Sequence, residues 1–267
     1  MKIGALIPIR LASERLPRKA IMTICDRPIV HHLLDRIAAC RHIDDAKNIV
    51  VCTTTDSSDD ELEEVVTEYG ASVFRGDRDD ILKRFGDAMA HFEFDAVVQA
   101  DGDDPLSATE YMDLTMDRLL ESDDIDIVTV AGVPLGTATK SFSRAAIEKV
   151  LASYLTTEND TGFIDFFTKT GVCEHVELAP TGEHHIHTTA RLTLDYEEDL
   201  QFFTAVFEAL YQPGEVFDLA AVVTLLNGQP QLVEINQAVD EEYWQRWHSK
   251  RSLKFKDRDG NVRDIDG

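Results

Sequence analysis

Four cations crowd one short stretch near the amino terminus: Arg10, Arg15, Arg18 and Lys19 in RLASERLPRK. Fixed guanidinium and ammonium groups held this close suit an anion with several oxygens, and phosphate is the natural candidate. The cluster runs against the composition, because 50 acidic residues outnumber 26 basic ones and the formal net charge is −24. Two acidic stretches stand out from the rest: Asp101, Asp103 and Asp104 in QADGDDP, and Asp195 in RLTLDYEEDL. Each follows an apolar run. Carboxylates and cations meeting in one crevice describe a site for a metal-bound polyphosphate, with oxygen ligands holding magnesium while Lys or Arg neutralises phosphate oxygens. Either acidic stretch alone is as well explained by a turn or a solvated face; the pairing with the basic loop favours the site.

Other chemistry finds less support. The chain has no GxxxxGK[ST] and no GxGxxG, so neither a P-loop ATPase nor a dinucleotide enzyme is indicated, and no GxSxG marks a hydrolase nucleophile. His184, His185 and His187 sit in EHHIHTT. On a strand His185 and His187 would share a face as two zinc ligands do, but no third ligand presents itself, and a packed or exposed face is the plainer account. Cys25, Cys40, Cys52 and Cys173 form no CxxC pair and read as reduced, mostly buried thiols. The acidity disfavours nucleic acid and anionic lipid as partners. No apolar run reaches the length of roughly 18 residues that a membrane span needs, and the initial run is too short for a signal peptide, so a cytoplasmic protein is expected.

The elements that must position these groups alternate regularly. Residues 2–8 read as a buried parallel strand with the cationic loop at its carboxyl end, where open α/β sheets bind ligands. Helices over 28–40, 57–69, 81–92 and 108–120 alternate with strands over 48–53, 71–74, 95–100 and 125–132. A helix cap accounts for Asp56 or Ser57. The alternation predicts a doubly wound, mainly parallel sheet. From about residue 141 the rhythm changes: helices over 143–154 and 160–170, then strands over 172–178 and 184–194 joined by PTGE, a hairpin signal and a candidate dimer arm. Helices return over 199–210 and 217–226, and the tail over 250–267 is polar enough to be partly mobile. With no repeat and no linker, one domain over 1–267 is expected, carrying an insertion around 133–190.

IPIRLASERLPRKAI resembles the amino-terminal signature of the cytidylyltransferases that activate sugar acids, roughly IPARxxSxRLPxK. That group contains the 3-deoxy-manno-octulosonate and acylneuraminate enzymes and the spore-coat polysaccharide protein F relatives, and the last branch is the most similar. RGDRDDILKRFGDAM, VVQADGDDPL and RLTLDYEEDL resemble further family segments in the same order. The resemblance implies a Rossmann-like three-layer α/β sandwich with an inserted β-rich dimerisation arm, a homodimer, a magnesium cofactor, and transfer from CTP to a small anionic acceptor with release of pyrophosphate. It implies that Arg10, Ser13, Arg15 and Lys19 cradle the CTP phosphates, that Gln99 approaches the nucleotide, and that Asp103 and Asp195 hold the metal. Asp101 remains an alternative first ligand. Arg15, Lys19, Asp103 and Asp195 would then be the catalytic set.

The chain departs from the family pattern in two places: Arg18 replaces the glycine before the loop lysine, and Glu197 the proline of the DTPED element. Two other functions compete. One keeps CTP but uses a phosphonate or phosphorylated small molecule as acceptor; the other is a catalytically silent nucleotide-binding homologue, against which the retained aspartates weigh.

Overall fold

The computed structural model describes residues 1–250, 253–257 and 259–265, with the backbone alone for 247–250. In chain order, β1 (Ile3–Pro8) leads through the cationic loop into two short strands, β2 (Thr23–Ile24) and β3 (Arg27–Pro28), and α1 (Ile29–Ala38). Then come β4 (Ile49–Thr54), α2 (Asp60–Tyr69), β5 (Ser72–Gly76), α3 (Ile81–His91), β6 (Ala96–Gln99) and α4 (Thr109–Leu120). β7 (Ile127–Val130), β8 (Lys140–Ser143), α5 (Arg144–Ser153), α6 (Asp165–Thr168) and β9 (His175–Leu178) follow. The carboxyl-terminal part holds α7 (Glu197–Leu210), α8 (Leu219–Gly228), α9 (Gln231–Gln237), α10 (Asp240–Lys250), β10 (Leu253–Lys256) and β11 (Val262–Ile265).

Seven strands form one sheet in the order β5-β4-β1-β6-β8-β7-β9. All pairings are parallel except those of β8, which runs antiparallel to β6 and β7. This is the mainly parallel three-layer architecture expected. Alternation along the central strands divides the core between the two faces: Ala5, Ile7, Val51 and Val98 pack into one cluster, Leu6, Val50, Cys52 and Val97 into the other. A third cluster gathers Leu16, Tyr111, Leu194 and the apolar faces of α7 and α8. The chain passes from β1 outward to β4 and β5 and then returns to β6 on the far side of β1. The crevice beyond the carboxyl ends of β1 and β6 is therefore the topological switch point, where such sheets take ligands.

The hairpin expected between residues 172–178 and 184–194 is not formed. β9 is an extended run, but it pairs parallel with β7, from Ile127 opposite His175 to Val130 opposite Leu178. Residues 184–194 do not return beside it as a strand. Glu183–His185 make a single tight turn, and His185 Nδ1 lies 2.9 Å from the Tyr111 hydroxyl. Farther on, Leu192 N donates to Leu135 O at 2.8 Å and Leu194 N to Asp103 O at 2.7 Å. Alternation placed extended backbone correctly over His175–Leu178 but not over Glu183–His185, and a tertiary partner decides where the rest of the segment lies. Here that partner is the crevice, so the segment lies across it. His184 is exposed, His185 buried and His187 half-buried, so no shared face unites them.

Two smaller corrections concern length and order. The helix expected over 160–170 shrinks to Asp165–Thr168, since Gly162 at φ 81° leaves the right-handed helical region, and the chain before it is anchored by Asn159, which is wholly buried. Its side-chain oxygen accepts from Ile81 N at 2.8 Å, capping α3. The described part of the tail is ordered: β10 and β11 pair antiparallel, and Leu253, Phe255 and Ile265 enter the second core cluster. Leu253→Ala is accordingly expected to cost about 2–5 kcal/mol of unfolding free energy, measured by urea denaturation.

Candidate active site

The cationic loop is built to aim its side chains inward. Beyond Pro8, Ile9 N still donates to Cys52 O at 3.2 Å, so the loop leaves the sheet beside β4. Ser13 N and Arg18 N both donate to Leu11 O at 2.9 Å, curling the chain around one carbonyl. Asp59, 1% exposed, fixes the base of the loop: its carboxylate accepts from Leu11 N at 2.8 Å and from the Thr54 hydroxyl at 2.5 Å. Leu16 plugs the loop into the third core cluster. Arg18 adopts the left-handed backbone, φ 64°, a conformation that costs a side-chain-bearing residue roughly 1–2 kcal/mol. That cost explains the glycine that the resemblance places here. The Arg18 guanidinium turns outward to Glu61 at 2.6 Å and does not line the cleft, so its charge serves the surface.

Arg15 and Lys19 turn the other way and meet Asp195. Arg15 Nη2 donates to Asp195 Oδ1 at 2.7 Å, and its guanidinium lies 4.7 Å from the Tyr196 ring centroid. Lys19 Nζ donates to Leu194 O at 2.5 Å and Asp195 Oδ1 at 2.9 Å, and stands 3.4 Å from Asp103 Oδ2. Burial alone would push the Lys19 ammonium down, but the charges of Asp103 and Asp195 outweigh it and leave its pKa raised. Burial would likewise push the Asp195 carboxyl up, and Lys19 and Arg15 bring it below the usual carboxylate range.

The turn after β6 supplies three carboxylates. Leu194 N on Asp103 O ties this turn to the segment carrying Asp195. Gly102 must approach β1 closely: a Cβ there would stand 2.5 Å from Pro8 O and 2.3 Å from Ile9 Cγ1. Asp101 is neutralised separately, by Lys140 Nζ at 2.6 Å and the Gln99 amide at 2.9 Å. Asp103 is held above its ordinary range by burial, with the like charges of Asp195 and Asp101 adding to it against Lys19. Asp104, buried beneath, is pushed well up by burial and by Asp103 and Asp101. Burial and mutual repulsion thus hold Asp103 and Asp104 toward their neutral forms.

A wholly buried network backs Asp195. Arg191, 2% exposed, donates Nη2 to Asp195 Oδ2 and Nε to Asp199 Oδ1, both at 3.1 Å. Asp199 also accepts from the backbone amides of Asp195 at 2.8 Å and Tyr196 at 2.9 Å, starting α7, and from Asn236 at 2.8 Å. Tyr243 of α10 closes the stack, its ring centroid 4.1 Å from the Arg191 guanidinium. Burial and the charges of Asp103, Asp104 and Asp195 push the Tyr243 phenol upward, keeping it protonated.

These groups line a cleft of about 390 Å³. Arg10, Ser13, Arg15, Lys19, Asp101, Asp103 and Asp195 all border it, Arg10 in an ion pair with Asp160. Gln99 is fully buried and reaches the cleft only through Asp101. Charge patterning misses four neighbours: Arg84, Lys140, Arg191 and Tyr243. Arg84 borders the cleft and donates to the carbonyls of Cys52, Asp77 and Arg78. Arg84 and Arg191 each lie within a stretch resembling the family, the one signal that pointed toward them.

The donor set suits a hard divalent cation. Asp103 Oδ2 and Asp195 Oδ1 face one ammonium, and a cation bound between them would favour the ionised form of Asp103. Among the described residues no cluster of three His, Cys, Asp or Glu side chains forms a closed cage. Two carboxylates completed by phosphate oxygens and water is the arrangement magnesium accepts. No described helix is long and apolar enough to cross a membrane.

Comparison with known proteins agrees with this geometry. Residues 4–164 match the model of a family described as cytidylyltransferase. The uncharacterized protein MJ1063 of Methanocaldococcus jannaschii is 28% identical over 248 residues, covering 91% of this chain and 97% of that one. The spore coat polysaccharide biosynthesis protein SpsF of Bacillus subtilis is 23% identical over 229 residues, covering 84% and 94%. A 3-deoxy-manno-octulosonate cytidylyltransferase of Pelobacter propionicus is 28% identical over 132 residues, a match spanning 49% of either chain. A solved cytidylyltransferase from Leptospira borgpetersenii superposes with a TM-score of 0.78 at 25% identity, over 87% of this chain and 97% of that one.

Because Asp199 offsets the buried Arg191 charge, Asp199→Ala leaves that guanidinium short of a partner and is expected to cost about 3–5 kcal/mol in chemical denaturation. Arg18→Gly, by contrast, should leave stability unchanged or raise it.

Proposed function

The chain belongs to the cytidylyltransferase family, and from that premise we propose that it joins CTP to a sugar acid, forming a CMP-activated sugar acid and releasing pyrophosphate. One observation carries the proposal: Arg15 and Lys19 of the loop after β1 converge on Asp195 and Asp103 at the mouth of the parallel sheet. The sugar-acid acceptor is supported by the likeness to a 3-deoxy-manno-octulosonate cytidylyltransferase.

In this reading the acceptor hydroxyl attacks the α-phosphorus in line with the departing pyrophosphate. Arg10, Ser13, Arg15 and Lys19 bind the triphosphate, and Arg15 and Lys19 offset the charge that grows on the leaving group. Asp103 and Asp195 would hold magnesium, which when bound polarises the phosphoryl group under attack. Asp101 keeps Lys140 in place on the opposite wall. Arg191 and Asp199 hold Asp195 in one orientation, so its Oδ1 faces the cleft. Tyr243 covers the buried ion pairs and shields them from water.

Pyrophosphate release from CTP and magnesium, measured across a panel of sugar acids, tests the proposal. Release with one acceptor should fall roughly 10²–10³-fold in Asp103→Ala and in Asp195→Ala, the loss typical of one preorganised electrostatic group. Absence of CTP binding would overturn it. We further infer a cytoplasmic homodimer, the assembly implied by the resemblance. Sedimentation equilibrium should then return twice the 30.0 kDa chain mass.

A further inference from the structure

Three oxygens surround the Lys19 ammonium: Leu194 O at 2.5 Å, Asp195 Oδ1 at 2.9 Å and Asp103 Oδ2 at 3.4 Å. Two carboxylates and a carbonyl make the donor set a hard cation prefers. A divalent ion drawing on Asp195 is left with Oδ1, because Arg191 holds Oδ2, and the ammonium with its like charge stands between that oxygen and Asp103 Oδ2.

The two faces of Asp195 differ in what holds them. Oδ2 belongs to Arg191, which is 2% exposed, tied to Asp199 and covered by Tyr243. Moving that guanidinium would strand a buried charge. Oδ1 belongs to Lys19 and Arg15, which both reach in from the loop and border the open cleft. Lys19 has a flexible four-carbon stem and a compact charge that fits phosphate oxygens as well as carboxylates. An arriving triphosphate offers it an equivalent set of partners.

We propose that Lys19 is an internal counter-cation that competes with the divalent ion for Asp103 and Asp195, so that metal binds weakly alone and tightly once a polyphosphate takes up the ammonium. This rests on the cleft being the metal–CTP site described above. Its consequence is positive coupling: each ligand favours the other by the same factor, as linkage requires. Lys19 then has two duties, phosphate contact when nucleotide is bound and occupation of the carboxylate pair when it is not.

The test is titration of the full chain with Mn²⁺ alone, free ion being read by electron paramagnetic resonance. Lys19→Met should bind Mn²⁺ more tightly than wild type, by a factor within the roughly 5–150-fold range of ordinary coupling, while its affinity for CTP falls. Lys19→Gln is measured alongside, so that the comparison survives if one variant fails to fold, as judged by its thermal melt. Arg78→Met is the contrast: it also removes a cation bordering the cleft, but one paired with Asp56 outside it, and should leave affinity for Mn²⁺ alone unchanged. Equal or weaker Mn²⁺ binding by a folded Lys19 variant overturns the competition. Pyrophosphate release by wild type is scored separately. If it is present while the Mn²⁺ result is negative, only the competition falls; if wild type binds no CTP, the reading of the cleft falls with it.

Discussion

Asp195 accepts from three cations at once, Arg15 and Lys19 on one oxygen and Arg191 on the other. A carboxylate in such surroundings cannot be exchanged for a neutral group without leaving several positive charges facing one another. The geometry around it follows from that constraint. The loop after β1 must curl so that two of its cations point inward, which Asp59 and the Leu11 carbonyl arrange. The segment before α7 must lie extended across the crevice, which its backbone bonds to Leu135 and Asp103 enforce. α7 must begin directly after Tyr196, and Asp199 secures that beginning by accepting from two backbone amides.

Much of this was legible in the sequence because it violates the background. Four cations in one loop of a chain with net charge −24 are conspicuous, as are aspartates placed directly after apolar runs. Parallel topology was legible from alternation of strand and helix. Arg191, Asp199 and Lys140 were hidden for the opposite reason: a charged residue in an acidic, charge-rich sequence looks solvated until its partner is known. Periodicity also stops short of pairing. Residues 184–194 are drawn to Leu135 and Asp103 by backbone bonds and do not return to β9, which ends the sheet with β7 as its neighbour. In the tail, polar composition concealed the alternation of LKFK, where Leu253 and Phe255 face inward while Lys254 and Lys256 are exposed.

Arg18 shows how a site can keep its function while altering its backbone preference. The left-handed position favours glycine, yet here a long side chain stands there and finds Glu61 outside the cleft. An exposed ion pair of this kind contributes little, so the strain is only partly offset. The inward-facing geometry of Arg15 and Lys19 depends on the neighbouring anchors instead.

The sequence distance across the site has a kinetic meaning. Arg15 and Asp195 are 180 residues apart, and Lys19 and Asp195 are 176 apart. Contacts of such long range form late, because chain entropy must be spent before they return any stabilisation. A nascent chain therefore displays its basic loop long before the aspartate that will balance it has left the ribosome. The cleft is assembled only once that aspartate has emerged, and a ligand that recognises only the assembled cleft draws the population toward the folded state by mass action.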